Sequence, residues 1–173
     1  MFLIPKRILV IGAPGSGKTT FSNRLSEICG HPVVHLDQLY WQAQWKSVSN
    51  AVFEQRLAPV LARERFIMDG NYARTLDLRL RFADCVIWLD YSRSTCYSGA
   101  LYRALVHRNH TRPDMAPGCP DKIDRAFLNS IWHFKTDTAP GMEQVLKNHP
   151  EVLQFRFSSR GQSERLLEKW ANK

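Results

Sequence analysis

Short apolar runs alternate with longer amphipathic segments along this chain. Residues 7–11, 32–36, 66–69, 85–90 and 153–157 are rich in Val, Ile, Leu or Phe. Near-continuous apolar runs of this length suit strands buried on both faces of a parallel sheet. Between them, 18–29, 49–63, 94–107, 121–134 and 163–171 carry the spacing of helices. Strand alternating with helix predicts a doubly wound α/β sheet with right-handed crossovers. Residues 109–120 hold Pro113, Pro117, Gly118 and Pro120 and cannot be helical throughout, so they read as a loop and a candidate lid. No internal repeat, low-complexity tract or linker interrupts the pattern.

Composition changes this picture little. A chain of 173 residues with 44% hydrophobic and 23% charged residues is an ordinary single globular domain with enough length to bury a core. Four cysteines (Cys29, Cys85, Cys96 and Cys119) stand far apart without a C-x-x-C pair, which argues against a zinc site or disulfide framework and for a reducing compartment. The apolar start meets Lys6 and Arg7 at once, the reverse of a signal peptide's charge order. No apolar stretch approaches the roughly 20 residues that span a bilayer. The expectation is a cytoplasmic protein with no membrane partner.

Charge adds more. The formal net charge is +8, and seven of those eight charges arise before residue 113. No acid lies between Asp90 and Asp114, a window that holds Arg93, Arg103, Arg108 and Arg112. Such a window reads as a solvated basic face or as a surface for phosphate, on a nucleotide or a nucleic acid.

The first run leads into Gly12-Ala13-Pro14-Gly15-Ser16-Gly17-Lys18-Thr19, which fits G-x-x-x-x-G-K-[ST] between a strand and a helix. Glycines let successive backbone N–H groups turn inward as an anion nest, and the helix N-terminus points at the same phosphates. Gly12, Gly15, Ser16, Gly17, Lys18, Thr19 and Thr20 are therefore candidate nucleotide contacts. Lys18 would reach the β- and γ-phosphates and Thr19 would ligate Mg²⁺. ATP and Mg²⁺ are the expected cofactors, and no Asn-Lys-x-Asp guanine-reading motif follows.

Ligands of open α/β sheets bind at the carboxyl ends of the strands. Asp69 ends one predicted strand and would hold Mg²⁺, in the Walker B manner, or shape an Asp-Gly turn. Asp37 lies just beyond the second strand, on the phosphoryl-acceptor side. A carboxylate there suits a hydroxyl acceptor, which needs orientation and a proton acceptor. Capping the next segment is the plainer reading. Asp90 reads as a structural cap or turn, and His35 as a half-buried histidine without a catalytic role. Tyr40, Trp41 and Trp45 could stack an acceptor ring or pack a small lobe. Arg103, Arg108 and Arg112 could stabilise the transferring phosphoryl group, and Arg74 could hold the acceptor; Arg125 is a weaker candidate.

Residues 12–20, His-Leu-Asp-Gln-Leu-Tyr-Trp at 35–41, Asp-Gly-Asn-Tyr at 69–72, Leu-Asp-Tyr-Ser-Arg at 89–93 and Arg-Pro-Asp-Met-Ala-Pro-Gly-Cys-Pro at 112–120 occur in this order. Together they resemble the bacterial adenylate-kinase-related P-loop proteins labelled DNA topology modulation (FlaR-like) proteins. The resemblance spans nearly the whole chain. It implies a nucleoside/nucleotide-kinase-like P-loop fold with a five-stranded parallel sheet, ATP binding, a mobile acceptor-side segment at about 37–60 and a lid at about 108–120. Arg74 falls near the arginine of the adenylate-kinase Asp-Gly-Phe-Pro-Arg segment. Asn71-Tyr72-Ala73 replaces the Phe-Pro of that pattern, which puts AMP in question as acceptor.

The leading expectation is thus a small-molecule kinase acting on a nucleoside, nucleotide or other hydroxyl acceptor. The alternative is an ATP-binding, DNA-associated regulatory protein with little or no kinase activity. Strand passage itself is not expected of a 173-residue domain.

Overall fold

The computed structural model describes residues 3–106, 114–119 and 123–172. Five parallel strands form the central sheet: β1 (Arg7–Gly12), β2 (Val33–His35), β5 (Phe66–Asp69), β6 (Cys85–Leu89) and β7 (Leu153–Phe157), in the order β2-β5-β1-β6-β7. β3 (Trp41–Gln42) and β4 (Lys46–Ser47) form a separate antiparallel hairpin. The predicted doubly wound sheet is therefore present. All residues of β5 and β6 are buried, as strands covered on both faces must be. β7 is an edge strand, and it alternates exposed with half-buried positions.

The chain fills one side of β1 with β2 and β5, then crosses to β6 and β7 on the other. This reversal leaves a crevice at the carboxyl end of β1. Register fixes what lines it: Asp69 lies opposite both Val10 and His35, and Gly12 lies opposite Leu89.

Helices cover the sheet. α1 (Lys18–Cys29) stops at Gly30, whose φ of 69° closes the last turn through its N–H to Ser26 O. α2 (Leu36–Tyr40) follows β2 directly, and α3 (Asn50–Leu61) begins behind a Ser49 side-chain cap on Val52 N. α4 (Leu76–Leu80) and α5 (Arg93–Val106) flank β6, and α6 (Arg125–His133) is capped by Asp124. A π turn (Phe134–Thr138) leads from α6 into α7 (Ala139–Lys147), and α8 (Arg160–Ala171) closes the chain. The pairs α1 with α8, α4 with α7, and α5 with α6 pack together.

Three helices, α2, α4 and α7, lie outside the helical segments that the sequence predicts, and α8 differs at its start. α7 opens on Ala139-Pro140-Gly141. Proline is tolerated in a first helical turn, where its missing N–H would have no partner. α8 starts three residues before 163, running through Gly161. The 114–119 part of the expected loop is irregular, as anticipated; the rest of that loop lies outside the described residues. Among the described residues no helix is long and apolar enough to cross a membrane.

The turn after α7 is fastened to α4 by charge. The His149 ring bonds Asp77 Oδ1 through Nε2 and Glu151 Oε1 through Nδ1, each at 2.9 Å. Two carboxylate acceptors require both ring nitrogens to donate, so the imidazole is protonated. The Asp77 bond first, then the Glu151 bond, raise the His149 pKa; the same bond, then Arg81, lower that of Asp77. A raised histidine gives stability that is full below its unfolded pKa of about 6.5 and lost as pH rises through the folded value. The lowered carboxylates add stability above about pH 4, lost as pH falls. We therefore expect the melting-temperature gap between wild type and His149→Gln to be widest at about pH 5–6 and to narrow above about pH 7. Thermal melts across that range check it.

Candidate functional site

The P-loop is shaped by a close approach of α5. A Cβ on Gly15 would meet Cys96 O at 2.1 Å, and one on Gly99 would meet Gly15 O at 2.2 Å. Only two glycines let helix and loop touch backbone to backbone. Gly17, at φ 87°, is the residue from which α1 departs. The Lys18 ammonium folds onto the loop itself, donating to Gly12 O at 2.9 Å and Ala13 O at 3.1 Å. Burial lowers its pKa, against the pull of the Asp69 and Asp37 carboxylates. Ser16 is 2% exposed, and its hydroxyl has no hydrogen-bond partner. A buried hydroxyl inside such a nest suits a ligand oxygen.

Asp69 stands at the end of β5 and faces the loop. Its Oδ2 accepts from the Thr19 hydroxyl at 2.7 Å and from His35 Nδ1 at 3.1 Å. His35 is therefore satisfied, as expected, but by the expected metal carboxylate. Asp114 also reaches Thr19, with Oδ2 at 3.1 Å from the same hydroxyl oxygen.

The turn after Asp69 connects the two sides of the crevice. The Asn71 side chain clamps Gly12, accepting from its N–H at 2.9 Å and donating to its C=O at 2.7 Å. Tyr72 donates its hydroxyl to Asp37 Oδ1 at 2.5 Å. Burial, then the Asp37 charge, push the Tyr72 phenol well above its usual pKa, so it remains a donor. Tyr72 holds a left-handed backbone at φ 38°, which costs a non-glycine residue about 1–3 kcal/mol. The turn is held by Arg79, which is 0% exposed. Its guanidinium donates to the carbonyls of Gly70, Asn71, Tyr72 and Thr75.

A cleft of about 770 Å³ joins these groups. Its wall includes residues 14–20 of the loop, Asp37, Trp41, Trp45, Asp69, Arg103 and Asp114. Arg103 reaches it with its guanidinium 4.8 Å from the Phe127 ring centre. Trp41 and Trp45 stand edge to face, with ring centres 5.4 Å apart. Gly12 lies beneath the loop, held by Asn71.

Other expected positions lie elsewhere. Tyr40 packs against Trp41, Phe53 and Tyr72, with ring centres 4.8–5.2 Å apart, and does not line the cleft. Arg74 is not brought to the cleft either: it is exposed and pairs with Glu54 at 2.9 Å. Arg125 begins α6 and is likewise outside the wall. Asp90 is structural, pairing with Arg156 at 2.9 Å and Lys135 at 3.3 Å. Arg108 and Arg112 lie outside the described residues.

Asn71, Tyr72, Arg79, Gly99 and Asp114 were not singled out individually from the sequence. The 69–72 and 112–120 segments carried a signal for three of them, whereas Arg79 and Gly99 had none. Arg160, at the start of α8, also faces the cleft.

No family model matches the chain, and no curated protein matches its sequence. Solved structures do match its fold. A shikimate kinase from Acinetobacter baumannii in complex with shikimate aligns over 95% of this chain and 90% of its own, at 14% identity and a TM-score of 0.60. A shikimate kinase from Bacteroides thetaiotaomicron covers 98% of each chain, at 18% identity and TM-score 0.59. The deoxyadenosine kinase from M. mycoides with bound dATP covers 96% of this chain and 99% of its own, at 16% identity and TM-score 0.52. At these identities the likeness concerns architecture, and the fold is that of the P-loop small-molecule kinases.

Proposed function

We propose that this chain is an ATP- and Mg²⁺-dependent phosphotransferase acting on a hydroxyl of a small molecule. The observation that carries the reading is Asp37, fixed by Tyr72 and facing the same cleft as the P-loop. The donor half fits its ligand: a glycine nest, the unpartnered Ser16 hydroxyl, and Thr19 between two carboxylates. Mg·ATP would supply the phosphoryl group, with the cation offsetting charge on the phosphate oxygens.

The chain's own residues do the rest. The backbone N–H groups of Gly15, Gly17, Lys18 and Thr19 bind and orient the phosphates, on a loop whose base at Gly12 is pinned by Asn71. Lys18, released from the loop carbonyls, turns its ammonium to the β- and γ-phosphates. Thr19 and Asp69 would hold the cation, which would supply charge neutralisation at the phosphates. Asp37 orients the acceptor hydroxyl and takes its proton, while Trp41 and Trp45 wall the acceptor side. Arg103 meets the charge that spreads over the equatorial oxygens. All of 1–173 serves as one kinase unit, with residues 37–60 on the acceptor side, and its motifs keep the FlaR-like resemblance within this proposal. Nothing in the described residues favours the DNA-associated alternative: Arg93 stacks on Trp132 at 4.9 Å, and Arg103 faces the cleft.

Lys18→Ala is expected to abolish ATP turnover. Asp37→Asn is expected to leave ATP affinity within about two-fold and to lower transfer by about 10²–10⁴-fold, the contribution of a positioned general base. Calorimetric ATP binding beside a coupled ADP-release assay separates the two effects. Unchanged transfer in Asp37→Asn would remove the base assignment.

A further inference from the structure

The 112–120 motif contributes one group whose position the phosphate loop does not explain. Asp114 is 7% exposed, lies 95 residues from Thr19 in sequence, and still places Oδ2 at 3.1 Å from the Thr19 hydroxyl. Its segment is seated firmly on the acceptor-side hairpin. Met115, Ala116 and Cys119 pack against Trp41 and Trp45. Cys119 Sγ donates to Gln42 O at 3.0 Å, and Gln44 N donates to Gly118 O at 3.0 Å.

The hydrogen count at Thr19 is informative. A threonine hydroxyl carries one hydrogen, yet two buried carboxylates approach its oxygen, at 2.7 Å for Asp69 and 3.1 Å for Asp114. One hydrogen cannot serve both contacts fully, and carboxylate oxygens converging on one hydroxyl are the arrangement that a hard cation bridges. Asp69 Oδ2 also takes the His35 bond, so its requirement is met from two donors. Asp114 brings a further buried carboxylate oxygen to the hydroxyl that would ligate the cation. The unpartnered Ser16 hydroxyl lines the same cleft. Oxygen donors of this type suit a hard divalent cation such as Mg²⁺ or Mn²⁺.

We propose that Asp114 is a second carboxylate of the divalent-cation site, delivered to Thr19 and Asp69 by the 114–119 segment. The inference rests on the phosphotransferase reading of the P-loop but adds a ligand from a part of the chain remote from it. The cation is then gripped from both sides of the cleft, by β5 through Asp69 and by the segment seated on the hairpin through Asp114.

The test is Mn²⁺ binding to the ADP-loaded protein, read from the loss of the free-ion electron paramagnetic resonance signal. Wild type is compared with Asp114→Asn and Asp69→Asn, and metal-free ADP affinity and melting are measured in parallel. Asp114→Asn is expected to weaken Mn²⁺ binding about ten-fold or more, with metal-free ADP affinity unchanged. Its metal-free melting temperature should stay close to that of wild type, because the amide keeps the shape of the carboxylate. Loss of Mn²⁺ affinity in Asp69→Asn but not in Asp114→Asn would overturn the proposal and leave the phosphotransferase reading intact. Unchanged Mn²⁺ affinity in both variants, or no Mn²⁺ binding by wild type, would overturn both. A much lower metal-free melting temperature in Asp114→Asn would make Asp114 a structural acceptor and overturn the proposal as well.

Discussion

The guanidinium of Arg79 is buried among the carbonyls of Gly70, Asn71, Tyr72 and Thr75, and both halves of the cleft depend on it. Burying a cation without a carboxylate beside it is costly, and burial accordingly depresses its pKa. Four backbone acceptors and the whole turn they belong to offset that cost. Because those carbonyls are committed to Arg79, the chain after Asp69 is held with Tyr72 in a left-handed conformation. From this one turn the Asn71 amide reaches back to Gly12, and the Tyr72 hydroxyl reaches across to Asp37. The glycine loop and Asp37 thus take their positions from neighbouring residues of one turn, Asn71 and Tyr72. Such preorganisation by packed, hydrogen-bonded supports is what phosphoryl transfer, largely a matter of positioning and electrostatics, requires.

The positive charge of the chain takes on a different meaning once its partners are visible. Arg7 pairs with Asp84, Arg24 with Glu164, Arg74 with Glu54 and Arg156 with Asp90. Arg79 is buried and Arg103 faces the cleft. Lys18 donates to two carbonyls of its own loop. Three N-terminal cations, Lys18, Arg79 and Arg103, thus lie at the crevice at the end of β1 or in the turn that supports it.

Much of the fold was legible because buried parallel strands announce themselves as apolar runs. β5 and β7 have the expected bounds, β1 and β6 differ by one residue at one end, and the sheet order follows the doubly wound pattern. The P-loop was legible because glycines at fixed spacing before Lys-Thr have few other uses. What could not be read depended on long-range contact. A lone arginine in Leu76-Asp77-Leu78-Arg79-Leu80 looks like an exposed helical charge, yet the structure buries it. Arg74 looked like an acceptor clamp, but Glu54 on α3 takes it to the surface. Asp114 carries no spacing relation to Thr19, and only the seating of 114–119 on Trp41 and Trp45 brings them together. α7 was hidden by a proline and a glycine that its first turn accommodates.

The central claim is that this cleft transfers phosphate from ATP to a hydroxyl. Its most direct test is the rate of ADP release by the purified protein with Mg·ATP across a panel of nucleosides, nucleotides and small hydroxylated metabolites, with Lys18→Ala as the blank. The account predicts that at least one hydroxyl compound accelerates ADP release well above the blank and emerges phosphorylated in stoichiometric amount. Acceleration confined to compounds that accept on a phosphate group, or ADP release equal to that of the Lys18→Ala blank with every compound, would contradict it.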